Sequence, residues 1–274
     1  MLVVTLSSIP PRFPEIAATL ASLRAQTAQI DRILLCIPKH YRRFPEWDGT
    51  LPKVPPGVEI CRTEQDYGPA TKILGAVGAF RGQAVDLLFC DDDQHYAPDW
   101  AQRFVDLKAR HPGHAICLLG MHAYDVAGGS TAHDLQPRAV RRWRLTDLGF
   151  QVRYIWQDIS TGAGRPAPAR RVFKRSGYVD IFEGRGGVLV RPEWFDDAAF
   201  TVPQVAWAVD DIWLSGAVAR AGVPIWLQAG VPDPRDTDAE VLRPLSKAVV
   251  DGADRAAANR AAVDHMRRTY GIWL

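Results

Sequence analysis

Apolar positions fall along the chain in two repeats. Leu2-Val3-Val4-Thr5-Leu6, Arg32 to Pro38, Val58 to Cys61 and Asp86 to Cys90 are short and nearly continuous in hydrophobicity, as strands covered on both faces require. Between the first two, residues 15–26 carry apolar side chains at 16, 20 and 23, the spacing of an amphipathic helix. Another helix is expected from the Tyr67–Lys72 turn to about Phe80, because Pro69 suits a first helical turn. Strand, helix, strand in alternation predicts right-handed crossovers and a parallel sheet. Farther on, the pattern predicts a helix over 98–110 and a strand over 115–120. It then gives a glycine-rich approach (184–187) to a strand at 188–190, a helix from Asp210 to about Ala221, a strand over 222–227 and a closing helix over about 253–270. Residues 38–57 read as a long surface loop, and 232–251, polar and without period, as a mobile flap.

Composition narrows the class. With 47% hydrophobic residues in 274 the chain can bury a large core, and its 33 basic and 31 acidic side chains nearly cancel. No global charge points to nucleic acid. Charge is instead local: from Arg138 to Arg175 there are ten Arg or Lys against two Asp, and the alternating rhythm stops. That stretch reads either as a solvated flexible surface or as a subsite for an anionic acceptor. Cys36, Cys61, Cys90 and Cys117 lie singly in apolar runs, as reduced core residues do. The amino-terminal residues lack a basic leader, and no apolar run reaches membrane-span length. A cytoplasmic protein is expected, with peripheral membrane attachment left open.

Candidate chemistry centres on Asp91-Asp92-Asp93, where a buried strand runs out into three carboxylates. In extended chain, residues 91 and 93 share a side and residue 92 takes the other. Asp91 and Asp93 are therefore candidate ligands for Mg²⁺ or Mn²⁺, which take oxygen donors and keep positions open for phosphates. An acidic turn with a capping role is the plain alternative. The Ser7–Arg12 loop, the Tyr67–Lys72 turn and the acid triplet all follow strands, so all belong at one sheet edge, where ligands of such folds bind. Asp210-Asp211 open a later helix; one acid satisfies the helix start, and the second is free to act as a base. His265, alone on the last helix, is more simply structural or exposed than a metal ligand.

These pieces resemble the nucleotide-sugar transferases of the GT-A fold, and most closely bacterial enzymes related to glycosyltransferase family 2. The matching segments are Val3–Arg12, Asp66–Lys72, Asp91-Asp92-Asp93, Gly186-Gly187-Val188-Leu189 and Val209-Asp210-Asp211. The resemblance implies one domain: a donor half over about 1–125, an acceptor half over about 126–230, then a flap and helix over 231–274. It implies Asp91 and Asp93 as the Asp-x-Asp metal site. Thr5, Arg12, Tyr67, Gly68, Lys72, Asp91 and Asp92 would stand around the donor, and Gly186, Gly187 and Trp213 around a saccharide or lipid-linked acceptor. Asp211, with Asp210 beside it, would be the base in an inverting transfer from a UDP-linked sugar, with cell-envelope polysaccharide as the product class. The basic signature of processive members is not evident. Two other classes stay open on the residues: a sugar-phosphate nucleotidyltransferase, although Ser7-Ser8-Ile9-Pro10-Pro11 is not the glycine-rich basic loop it would need, and a non-catalytic carbohydrate- or metal-binding module.

Overall fold

The computed structural model describes residues 1–130, 135–143, 145, 147–161, 169–242 and 254–274. Its main sheet is built from β1 (Leu2–Ser7), β2 (Arg32–Pro38), β3 (Val58–Thr63), β4 (Asp86–Phe89), β5 (Ala115–Cys117), β6 (Gly177–Val179), β7 (Val188–Val190) and β8 (Ile225–Leu227). The spatial order is β6-β8-β5-β7-β4-β1-β2-β3. Strands β1 to β4 are mutually parallel, and β8 is parallel to β5, whereas β7 and the edge strand β6 run antiparallel to their neighbours. The expected α/β domain with a mostly parallel sheet is what forms. The sheet interleaves the two expected halves, since β7 enters between β4 and β5.

Successive residues of β1 go to opposite faces: Val4 and Leu6 join one apolar cluster and Val3 the other. Helices cover both faces, which is why these strands read as continuous apolar runs rather than alternating ones. The first cluster takes in α1 (Ala17–Arg24) and α3 (Trp100–Arg110) through Leu20, Leu23, Phe104 and Leu107. On the other face lie α2 (Thr71–Ala79), the short α4 (Ala123–Ala127), α6 (Asp210–Arg220) and α7 (Arg255–Tyr270). A further helix, α5 (Leu148–Thr161), stands in the basic stretch, between the two strands of a small antiparallel pair, Val140–Arg141 with Phe173–Arg175. Where it is described, that stretch therefore carries a helix and two short strands.

The chain leaves β1 toward β2 on one side and reaches β4 on the other. Between β1 and β4 the strand order reverses, and the loops at their carboxyl ends must part there, opening a crevice. Two loops differ from expectation. In 38–57, Tyr41 is buried and sits edge-on to Phe44 and Trp47 with centroids 6.1 and 5.0 Å away, so this loop carries an aromatic cluster of its own. The expected flap is anchored as far as residue 242: Arg235–Asp236 pairs with Gln94–His95, and the Thr237 N–H donates to the Asp93 carbonyl at 2.8 Å. The rest of it, 243–251, lies outside the described residues.

Candidate active site

A cleft of about 340 Å³ opens at that reversal point. Its lining includes Ser8 and Arg12 after β1, Tyr41, Arg43 and Phe44 from the aromatic loop, and Asp66, Gly68 and Lys72 around the start of α2. The acid triplet after β4, Glu183 and Arg185 before β7, Trp207, Asp210 and Asp211 at α6, and Arg255 on α7 complete it. The two acid clusters predicted from sequence thus share one cavity.

Lys72 joins them. Its Nζ lies 2.6 Å from Asp91 Oδ1 and 2.9 Å from Asp210 Oδ2, and the side chain is only 5% exposed. Burial alone would lower its pKa, but Asp210, Asp91 and Asp211 together hold the ammonium well above its ordinary value. Lys72, expected around the donor, does line the cleft, with its charge paired to two carboxylates. Arg12 is paired in the same way. Its Nη1 contacts Asp92 at 2.7 Å and Asp93 at 3.0 Å, and its Nε donates to the Leu242 carbonyl at 3.0 Å.

Asp92, expected at the donor, lines the cleft but is held by the protein's own groups. One carboxylate oxygen accepts from Ser8 Oγ and the other from Arg12, while its carbonyl accepts from Thr19 Oγ1 at 2.8 Å, so it clamps the β1 and β4 loops together. Asp93 takes Arg12 on one oxygen and Gln94 Nε2, at 3.0 Å, on the other. Its carboxyl is pushed up to about 6, first by burial and then by Asp91 and Asp92. Among the described residues no group of three or more His, Cys, Asp or Glu is arranged to hold a metal ion.

Asp211 is partly open to the cleft and accepts a hydrogen bond from the Gly184 N–H at 3.0 Å on Oδ1. Burial, and after it the charge of Asp210, pushes its carboxyl up to about 8, with Lys72 opposing. Nearby Glu183 is raised to about 7, mainly by burial. Neither Glu183 nor Gly184 was singled out for the site, although the sequence offered a signal: a lone acid entering a glycine run. A Cβ on Gly184 would stand 2.5 Å from Lys72 Nζ and 3.1 Å from Asp91 Oδ1, so a side chain there collides with the ion pair.

Five other residues expected at the donor or acceptor are not in the cleft lining. Thr5 is fully buried and donates to the Lys72 carbonyl at 2.6 Å, tying β1 to α2 rather than touching the cleft. Tyr67 turns its ring edge-on to Phe200, with centroids 5.9 Å apart. Trp213 is in the core, its indole N–H donating to the Ala199 carbonyl at 2.8 Å. Gly186 and Gly187 are small for the protein's own sake, because a Cβ would meet Leu119 at 3.0 Å and Trp100 at 2.5 Å respectively. Gly68 does line the cleft: its φ of +61° and the Trp207 ring 2.8 Å from a would-be Cβ both exclude other residues. His265 faces Tyr270 on α7, not the lining set. Arg43, Arg185, Arg255, Trp207 and Tyr41 were missed because nothing in their local spacing marks them; only the fold brings them in.

A mostly parallel α/β sheet with clustered carboxylates at its carboxyl edge and cations around the same opening describes a group-transfer enzyme for a phosphorylated donor. The chain belongs to glycosyl transferase family 2, whose sequence profile matches residues 11–175, and it is a glycosyltransferase. Among solved structures it is similar to the S. aureus TarS 1-349 fragment, with 10% identity, a TM-score of 0.46, and 98% of this chain and 72% of that one covered. The complex of that fragment with UDP-GlcNAc gives 11%, 0.46, 91% and 61% in the same order. Francisella tularensis 2-C-methyl-D-erythritol 4-phosphate cytidylyltransferase gives 12%, 0.40, 84% and 89%. No curated protein matches the chain.

Proposed function

We propose that this glycosyltransferase moves a sugar from a UDP-linked donor to an acceptor hydroxyl with inversion, with Asp211 as the general base and Asp91 and Asp93 holding Mg²⁺ or Mn²⁺. The observation that supports it is the ion-paired bridge through Lys72, which sets the acid triplet and the Asp210-Asp211 pair on one cleft.

The aromatic side of that cleft, with Tyr41, Phe44 and Trp207, offers flat apolar surface for a base. Asp66 beside it is fixed by the N–H groups of Arg42 and Gly68, both at 2.8 Å, and suits the imide N–H that uracil carries. Arg43, Arg185 and Arg255 also line the cleft, and with Lys72 and Arg12 they are the cations a diphosphate could meet there. Asp91 and Asp93 fit a hard divalent ion: both are oxygen donors, and the raised Asp93 carboxyl marks negative charge in excess of its compensation. When bound, such an ion would neutralise charge developing on the departing diphosphate. Asp211, fixed by Gly184 on one oxygen, takes the acceptor's proton on the other, and a base of pKa about 8 is well matched to a hydroxyl that becomes acidic only as it attacks. Attack from the side away from the leaving group inverts the anomeric carbon.

Calorimetric titration of UDP with and without Mn²⁺ tests the donor side. Mn²⁺ should tighten UDP binding in the native protein and fail to do so in Asp93→Asn. Binding indifferent to the ion in both proteins refutes the metal assignment.

A further inference from the structure

Helix α5 shows its apolar face to solvent. Asp147 caps its start by accepting the Phe150 N–H at 3.1 Å, and the inner face is held by Phe150, which is 3% exposed, stacks on Tyr154 at 6.0 Å and lies under the Arg170 guanidinium at 5.9 Å. The opposite face carries Leu148, Val152, Ile155, Trp156 and Ile159, an i, i+4, i+7, i+8, i+11 stripe along one side of a helix. These side chains are 56–79% exposed, and Trp143 and Leu145 just before the helix are 66% and 87% exposed. Isolated exposed apolar residues are ordinary; a continuous stripe of this kind marks a docking surface.

The charge around the stripe indicates what docks. Arg141, Arg142, Arg153, Arg171, Lys174 and Arg175 are all exposed, on the helix and on or beside the adjoining strand pair. They belong to the segment in which ten basic residues face two acidic ones, while the chain as a whole is only +2. An apolar stripe bearing tryptophan, edged by cations, fits the boundary of an anionic bilayer: rings and aliphatic chains enter the acyl region while guanidinium and ammonium groups meet the headgroups. No helix among the described residues is long and apolar enough to cross a membrane, so this one would lie in the interface plane. The strand pair it adjoins stands near the cleft, since Arg141 acts electrostatically on Glu183 and, just before the second strand, the Arg170 carbonyl accepts the Asp233 N–H at 2.7 Å, with Asp233 paired to Arg185.

We infer that α5 and the basic strand pair beside it form a docking surface for anionic lipid bilayers, holding the cleft near the headgroups. This inference is independent of the donor chemistry, and UDP titration reports on that chemistry separately.

Flotation of the full chain with vesicles tests it. Phosphatidylcholine vesicles containing phosphatidylglycerol should carry the protein, those of phosphatidylcholine alone should carry much less, and added salt should weaken the association. Ile155→Ser with Trp156→Ser and Ile159→Ser, all solvent-exposed positions, should lower partitioning by at least about tenfold, with thermal melting and UDP binding unchanged. The inference is overturned if the native chain fails to float, if the triple variant floats equally, or if light scattering shows the native chain to be a dimer that the same substitutions dissolve, because the stripe then belongs to a second copy.

Discussion

Lys72 offers the sharpest test of the site's construction. Lys72→Met keeps length and most of the volume while removing the charge from a side chain that is 5% exposed and 2.9 Å from Asp210, itself 5% exposed. Taking one partner from a buried pair strands the other, at a cost of about 3–5 kcal/mol. Asp91 adds less than its 2.6 Å contact suggests, because at 31% exposure solvent screens it, so the range rests on Asp210. For a chain of this size the loss corresponds to a melting point lower by roughly 6–20 °C. The informative comparison is Lys72→Met with Asp210→Asn. If the cost is a stranded carboxylate, removing that carboxylate restores most of the lost stability, although it deletes a second native group. Urea and thermal unfolding followed by circular dichroism, with no metal or nucleotide added, measure both. A loss under about 1 kcal/mol in the single variant, or a double variant no more stable than the single one, refutes the account of Lys72 as the shared counter-charge.

Three further outcomes bear on the chemistry. Asp211→Asn should lower kcat by about 10²–10⁴ with UDP affinity unchanged, whereas Glu183→Gln should leave most of the turnover; equal losses would move the base to Glu183. A base must be deprotonated to act, and burial with Asp210 places the Asp211 carboxyl near 8, so kcat/KM should climb as pH rises from 6 through 8. A profile flat across that interval rejects Asp211 as the titrating base. Gly184→Ala, whose Cβ would fall 2.5 Å from Lys72 Nζ, should cost both turnover and stability, as thermal melts and donor assays would show, and a fully active, equally stable variant would mean the ion pair yields without consequence.

The sheet was legible because its strands are buried on both faces, and burial of that kind writes itself into consecutive residues: Leu2–Leu6 and Arg32–Pro38 differ from the observed strands by a residue at most. The meeting of the acid triplet with Asp210-Asp211 followed from the family resemblance, since the residues alone left open whether that later helix start reaches the same edge. Side-chain direction was not legible. Thr5, Arg12 and Lys72 are polar residues on that edge, and from sequence each reads as a donor contact; whether a lysine meets a phosphate or a neighbouring carboxylate depends on distances set by β7 and α6, far along the chain. The glycines show the same limit. The run at 184–187 signals close approach, yet the approaching group at 187 is the protein's own Trp100, and the member that touches the site is Gly184. The apolar stripe of α5 escaped because the basic residues of 138–175 interrupt the pattern there and no helix was expected, and sequence does not say which way a stripe faces.

Charge accounting connects these corrections. Asp91, Asp92, Asp93, Asp210 and Asp211 line one cleft, and the cations in direct contact with them among the described residues are Arg12 and Lys72. Five carboxylates against two cations cannot all ionise without cost, and the excess appears where geometry leaves compensation weakest, at Asp93 and Asp211. Over the whole lining, with Asp66 and Glu183 among the acids and Arg43, Arg185 and Arg255 among the bases, seven acidic residues stand against five basic ones, so a cation that arrives with a diphosphate should strengthen its binding. The same imbalance ties the two ends of the cleft: a cation gained at Asp91 and Asp93 relieves the field felt at Asp211 through Lys72, so the ascending limb of the pH profile should move to lower pH as Mn²⁺ is raised. A limb that stays fixed while Mn²⁺ still tightens UDP binding would show that the acid clusters are neighbours without being coupled.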